Sequence, residues 1–124
     1  MKKQSELYEL LNEKNTLNEI QNYIKEVIKI RGFSEQKVQD KMLLLLEETG
    51  ELAKAIRKTI PEASVDYERI ENYTDIEEEV ADVFIVLVSI CNRLNINLYD
   101  AIIKKEEKNI KRQWKINAGE NNEQ

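Results

Sequence analysis

The chain has 124 residues, of which 35% are charged, with a net charge of −5, three glycines and one proline; this size and composition fit a single domain of long helices and short connections. The acidic balance, with no basic cluster before the C-terminal segment, argues against a nucleic-acid binder that works by neutralising phosphates, and without a signal-peptide pattern or an apolar run of about 18 residues the expected location is the cytoplasm, away from membranes. Histidine is absent and Cys91 is the single cysteine, which removes Ser-His and Cys-His catalysis, histidine zinc sites and an intrachain disulfide, and leaves carboxylates, Lys, Arg, Tyr and Asn for any chemistry.

Residues 1–15 read as an N-terminal arm or short, loose helix. Thr16 and Glu19 then fit a capping box, in which hydroxyl and carboxylate each satisfy a free backbone amide, and Ile20, Ile24, Val27 and Ile28 follow at helical spacing as far as Arg31-Gly32. A second helix is predicted from near Ser34 through Val38, Met42, Leu45, Leu46, Leu52, Ala53 and Ile56, closing before Pro61, which cannot sit in a helix interior. Residues 59–73 are polar and read as a loop, with room for one helical turn from Tyr67 to Ile70. Thr74 and Glu77 predict another capping box, opening a third helix through Val80, Val83, Phe84, Leu87, Val88, Cys91 and Leu94. Asn97 is the predicted N-cap of a fourth helix, with Asp100 at its third position, continuing through Ala101, Ile102, Lys105 and Asn109 to about Trp114. The domain is placed at 16–116, with a polar, flexible tail at 117–124. The expected fold is all-α, an antiparallel bundle of four helices.

At about 100° per residue, Glu47, Glu48, Glu51, Lys54 and Lys58 share one wedge of the second helix, opposite Met42, Leu45, Leu52, Ala53 and Ile56. Leu43 and Leu44 continue that wedge one turn earlier, so the acids adjoin apolar surface. The third helix repeats the arrangement with Asp75, Glu79 and Asp82, whose stripe Val86 and Ser89 extend. Packed antiparallel, the two helices would set Glu48 and Glu51 opposite Glu79 and Asp82. Four carboxylates around a partly dry gap repel and raise one another's pKa. Hard divalent cations relieve that repulsion, and an oxygen-only donor set suits magnesium, manganese or calcium rather than zinc. One acid pair on a helix is ordinarily solvated surface; two such pairs on two strongly apolar helices point to a cation site.

The run Glu47-Glu48-Thr49-Gly50-Glu51, then 27 residues, then Glu79-Val80-Ala81-Asp82 resembles the EExxE…ExxD signature of the MazG-like, all-α nucleotide pyrophosphohydrolases. The surrounding words EETGELAKAI and EEVADVFIVLV look like that family's two metal helices, and KKEEKNIKRQW resembles the K-x-x-x-N-x-x-R pattern of its last helix. The likeness covers roughly residues 17–114. It implies magnesium-dependent hydrolysis, with manganese as a substitute, of a nucleoside triphosphate to the monophosphate and pyrophosphate. By position, Glu48, Glu51, Glu79 and Asp82 would be the metal ligands. Glu47 would be an accessory carboxylate that orients an outer water or helps deprotonate the nucleophile. Lys105, Asn109 and Arg112 would meet phosphates or sugar, Lys54 could also reach a phosphate oxygen, and Phe33 occupies a region where relatives carry an aromatic residue near the base. Val86 stands where some relatives that prefer deoxycytidine triphosphate have tyrosine, which leaves the base preference open.

Two other readings fit the same residues. One is a related pyrophosphohydrolase acting on phosphoribosyl-ATP or deoxyuridine triphosphate; the other is a helical oligomerisation module whose acids bind structural cations or face solvent. Either way, the second and third helices are apolar over more surface than one small chain can cover, so a homodimer or dimer of dimers is expected.

Overall fold

The computed structural model describes residues 2–60 and 75–112. They form five helices: α1 Gln4–Glu9, α2 Leu17–Ile30, α3 Val38–Arg57, α4 Ile76–Arg93 and α5 Leu98–Asn109. No strand occurs among the described residues, so the all-α expectation holds. No helix among them is long and apolar enough to cross a membrane. The expected loop from residue 61 on, with its turn at Tyr67 to Ile70, Thr74, and the tail from 113 lie outside the described residues.

Local chemistry sets the ends of the helices. At the start of α2, the Thr16 hydroxyl accepts from the Glu19 amide at 3.1 Å and the Glu19 carboxylate accepts from the Thr16 amide at 2.8 Å, the predicted capping box. These bonds to Thr16 hold the Glu19 carboxyl below its ordinary pKa. The helix stops where Gly32 takes φ +86°. The Gly32 amide then donates to the Lys29 carbonyl at 3.1 Å and the Phe33 amide to that of Ile28 at 3.0 Å, a left-handed cap that glycine adopts without side-chain strain. The end of α4 repeats the device with Asn95 at φ +57° and the Ile96 amide donating to the Cys91 carbonyl at 2.8 Å. Asn97 caps α5 as predicted, accepting from the Asp100 amide at 2.9 Å.

Two boundaries differ from expectation, the start of α3 and the end of α5. The chain from Ser34 to Lys37 forms a turn and an extended N-cap, so α3 begins at Val38. The N-cap of α4 is Asp75, with the helix starting at Ile76. α5 ends at Asn109, and the next turns close between residues three apart, Lys111 to Lys108 and Arg112 to Asn109. Arg112 therefore stands beyond the end of α5, in a turn that closes back on Asn109.

α3 and α4 form the closest pair, α4 and α5 each pack on α2, and α1 lies against α2. Among the described residues the buried apolar side chains are Ile24 and Val27 of α2, Ala55 of α3, and Val88 and Cys91 of α4. Burial pushes the Cys91 thiol up in pKa. A polar tie closes one end of the bundle. Gln21 Nε2 donates to Asn92 Oδ1 at 3.0 Å and to the Ile96 carbonyl at 2.8 Å, while Gln21 Oε1 accepts from the Leu98 amide at 2.9 Å. One buried side chain thus binds α2 to the end of α4 and the start of α5.

The face that α3 turns inward carries Glu48, as the antiparallel pairing predicts, and only part of the apolar stripe opposite the acids. Met42, Ala53 and Ile56 of that stripe are exposed, while Lys41 and Ala55 are buried. The inward seam runs through Val38, Lys41, Leu45, Glu48, Leu52 and Ala55, all buried or half-buried and spaced alternately by three and four residues. Two of those six positions are charged, so a helix pattern scored on apolar residues alone shifts the seam sideways.

Candidate active site

The direction of α3 against α4 decides which acids meet. Lys41 Nζ donates to Ser89 Oγ at 2.7 Å, which joins the start of α3 to the later half of α4 and makes the pair antiparallel. Seven residues further along α3 comes Glu48, and seven residues back along α4 comes Asp82, so the same register brings those two side chains together. Carboxylate oxygens of Glu48, Glu79 and Asp82 lie within 4.8 Å of one another, the one such acidic group among the described residues. Glu79 is 4% exposed, and its Oε2 accepts no hydrogen bond, although the residue interacts elsewhere. Glu48 is half-buried and Asp82 exposed, so the cluster opens to solvent on one side.

Burial pushes the Glu48 carboxyl up in pKa, and the negative charges of Asp82, Glu79, Glu47 and Glu51 push it further the same way. Every charge that acts on it is negative. A site of carboxylate oxygens with a surplus of negative charge, closed on the buried side and open on the other, fits a hard divalent cation that keeps some of its water.

The expected site residues are placed unevenly. Glu48, Glu79 and Asp82 converge. Glu51 is exposed and lies outside the three-carboxylate group, one turn further along α3, near enough to act on Glu48. Glu47 is exposed beside it on the outer side of the seam. Lys54 is half-buried a turn beyond Glu51. Lys105 and Arg112 are exposed and Asn109 half-buried, its Nδ2 donating to Glu106 Oε1 at 3.1 Å. They belong to α5 and the turn after it, and α5 packs on α2 and not within the α3–α4 pair that carries the acids.

Phe33 is 52% exposed. It borders a cavity of about 310 Å³ formed with Ile28, Gln36, Lys41, Leu44, Ile85, Val86 and Ser89. A larger space of about 430 Å³ shares Ile28, Lys41 and Ser89 with it and is lined also by Lys25, Glu26, Lys29, Glu35, Asn92 and Arg93 among others. Lys41, which lines both spaces, is a buried charge that the sequence pattern alone did not single out. It is 3% exposed, and its Nζ donates to the Phe33 carbonyl at 3.0 Å as well as to Ser89. Burial lowers its pKa, and Arg93 lowers it further. The signal was available: a lysine seven residues before Glu48 returns to the same face of the helix, among Val38, Leu45 and Leu52.

An all-helical domain with an oxygen-donor centre between two antiparallel helices is the class of protein that fold and site define. The family model described as MazG nucleotide pyrophosphohydrolase domain matches residues 36–116, more than half of the chain. The protein belongs to the MazG nucleotide pyrophosphohydrolase family. No curated protein and no solved structure matches the chain.

Proposed function

We propose that the protein is a magnesium-dependent nucleoside triphosphate pyrophosphohydrolase, converting (deoxy)nucleoside triphosphates to monophosphates and pyrophosphate as a cytoplasmic house-cleaning enzyme. The observation that carries the reading is the convergence of Glu48, Glu79 and Asp82 within the family's matched segment. Bound there, magnesium or its substitute manganese would neutralise triphosphate oxygens and acidify a water, chemistry that needs no histidine.

The chain's own residues supply the rest. Glu48, Glu79 and Asp82 hold the cation, and Glu51 joins them from the next turn of α3. Glu47 is the accessory carboxylate that orients the attacking water or takes its proton. Lys54 reaches toward phosphate from the same helix. Lys105, Asn109 and Arg112 meet phosphate or sugar, and Phe33 lies against the base.

The placement of α5 away from the acids, together with exposed Met42, Leu43, Leu46, Val80 and Leu87 on α3 and α4, supports assembly as a homodimer or dimer of dimers. In such an assembly α5 of one copy could serve the acids of another. The test is pyrophosphate release from a panel of canonical and modified nucleoside triphosphates with magnesium present. Release that depends on Asp82 supports the reading; no release from any member sinks it.

A further inference from the structure

Lys41 is a buried cation whose bonding partners are neutral. Its two acceptors are the Phe33 carbonyl and Ser89 Oγ, and among the described residues no carboxylate bonds to it. An ammonium carries three donors, so one remains unused, and a serine oxygen that accepts from Lys41 still has its own proton to give. Burying a charge with a spare donor is costly unless a partner arrives to meet it. Both groups line the 310 Å³ cavity, whose other walls are mostly apolar: Ile28, Phe33, Leu44, Ile85 and Val86.

The cavity is in register with the acids. Lys41 precedes Glu48 by seven residues, and Ser89 follows Asp82 by seven. Seven residues advance about 10.5 Å along each helix and return within about 20° of the same face. Leu44 and Val86 lie one turn from each end of that span. Along the α3–α4 pair, carboxylates, apolar side chains and a pair of hydrogen-bond donors therefore follow one another in successive turns. That span is comparable with the reach of a nucleoside 5′-phosphate from phosphorus to the far edge of its base. A nucleotide held by its phosphates at the acids would lay its ring over Leu44 and Val86 and bring its far edge to Lys41 and Ser89.

We propose that Lys41 and Ser89 are base-specificity residues, selecting nucleotides whose base carries a carbonyl oxygen at its far edge (uracil, thymine, guanine or hypoxanthine) over cytosine and adenine. A carbonyl oxygen there accepts from both donors. The amino group of cytosine or adenine sets N–H against N–H and leaves the buried ammonium unsatisfied. This inference rests on the reading that the acids hold the triphosphate.

The experiment compares kcat/KM for pyrophosphate release within two matched pairs, dUTP against dCTP and dITP against dATP, for the wild type, Lys41→Met and Ser89→Ala. The carbonyl member of each pair should be favoured by on the order of tenfold to a hundredfold. Lys41→Met should carry that ratio most of the way to one, and Ser89→Ala part of the way. Equal turnover within the pairs, or preference for the amino member, overturns the inference while leaving the pyrophosphohydrolase reading in place. So does a folded Lys41→Met that keeps the wild-type ratio; the wild-type pairs and Ser89→Ala decide the matter if Lys41→Met does not fold. Absence of release from all four nucleotides overturns the pyrophosphohydrolase reading and this inference with it.

Discussion

Gln21 and Asn92 bind each other twice: Gln21 Nε2 donates to Asn92 Oδ1 at 3.0 Å, and Asn92 Nδ2 donates back to the Gln21 carbonyl at 3.3 Å. The same glutamine holds the Ile96 carbonyl and the Leu98 amide. Replacing it with leucine keeps most of its volume but strands several polar groups where water is scarce. Each such group costs about 1–3 kcal/mol, so Gln21→Leu is expected to destabilise the fold by about 2–4 kcal/mol in chemical denaturation. A loss below about 0.5 kcal/mol would mean that the tie is dispensable.

At the acidic cluster, Asp82→Asn and Glu51→Gln each remove a carboxylate charge with little change in volume. Both are expected to abolish pyrophosphate release while retaining helix content. Magnesium at millimolar concentration should raise the melting temperature of the wild type, because an ion bound only by the folded state stabilises it, and should raise it much less in Asp82→Asn. Wild-type turnover in either variant would dismiss that residue from the site.

The raised pKa of Glu48 has a direction that can be checked without substrate. The folded chain holds this proton more tightly than the unfolded chain does, so ionising Glu48 is costlier in the folded state. Its contribution therefore favours folding in acid and is lost as pH rises from the ordinary carboxylate range through the raised pKa. With a chelator present, the melting temperature of Glu48→Gln minus that of the wild type should grow as pH is raised from about 4 to about 7. A difference that shrinks over that range would show the repulsion to be absent.

Leu46 is 60% exposed on α3, near exposed Met42 and Leu43. Light scattering at micromolar concentration is expected to show a dimer or larger species. Leu46→Lys should shift it toward monomer without loss of helix content, since an exposed position accepts the charge in a lone chain but not in an apolar contact. A wild-type monomer would remove the assembly proposal.

At the start of α2, Thr16→Ala removes one half of the capping box and should cost about 1 kcal/mol. The pKa of Glu19 is lowered, so its stabilising effect is present above the ordinary carboxylate range and is lost as pH falls through the lowered value. Thr16→Ala should consequently hurt less in acid than at neutral pH, as measured by thermal melts at both.

How far the sequence could be read depended on whether a residue's local pattern and its tertiary role agreed. Thr16 with Glu19, Gly32, and Asn97 with Asp100 are signals contained within a few residues, and all three sit in the structure as their chemistry dictates. Glu48, Glu79 and Asp82 were legible because acid pairs recurring on two strongly apolar helices do not fit a merely solvated surface. The burial of Lys41 in the α3 seam was not, because its bonds run to Phe33 and Ser89 and a scale of apolarity places a lysine outside. The role of Gln21 was likewise invisible, since its partners lie 71 to 77 residues away along the chain.

The equal spacing of Lys41 from Glu48 and of Asp82 from Ser89 makes the α3–α4 pair a ruler graduated in helical turns. A one-residue insertion between Lys41 and Glu48 would not lengthen the measure slightly; it would swing one mark about 100° out of the groove. The distance between the two ends can change only in whole-turn steps made on both helices together, which leaves chemistry at the two ends free to vary while the distance between them stays fixed.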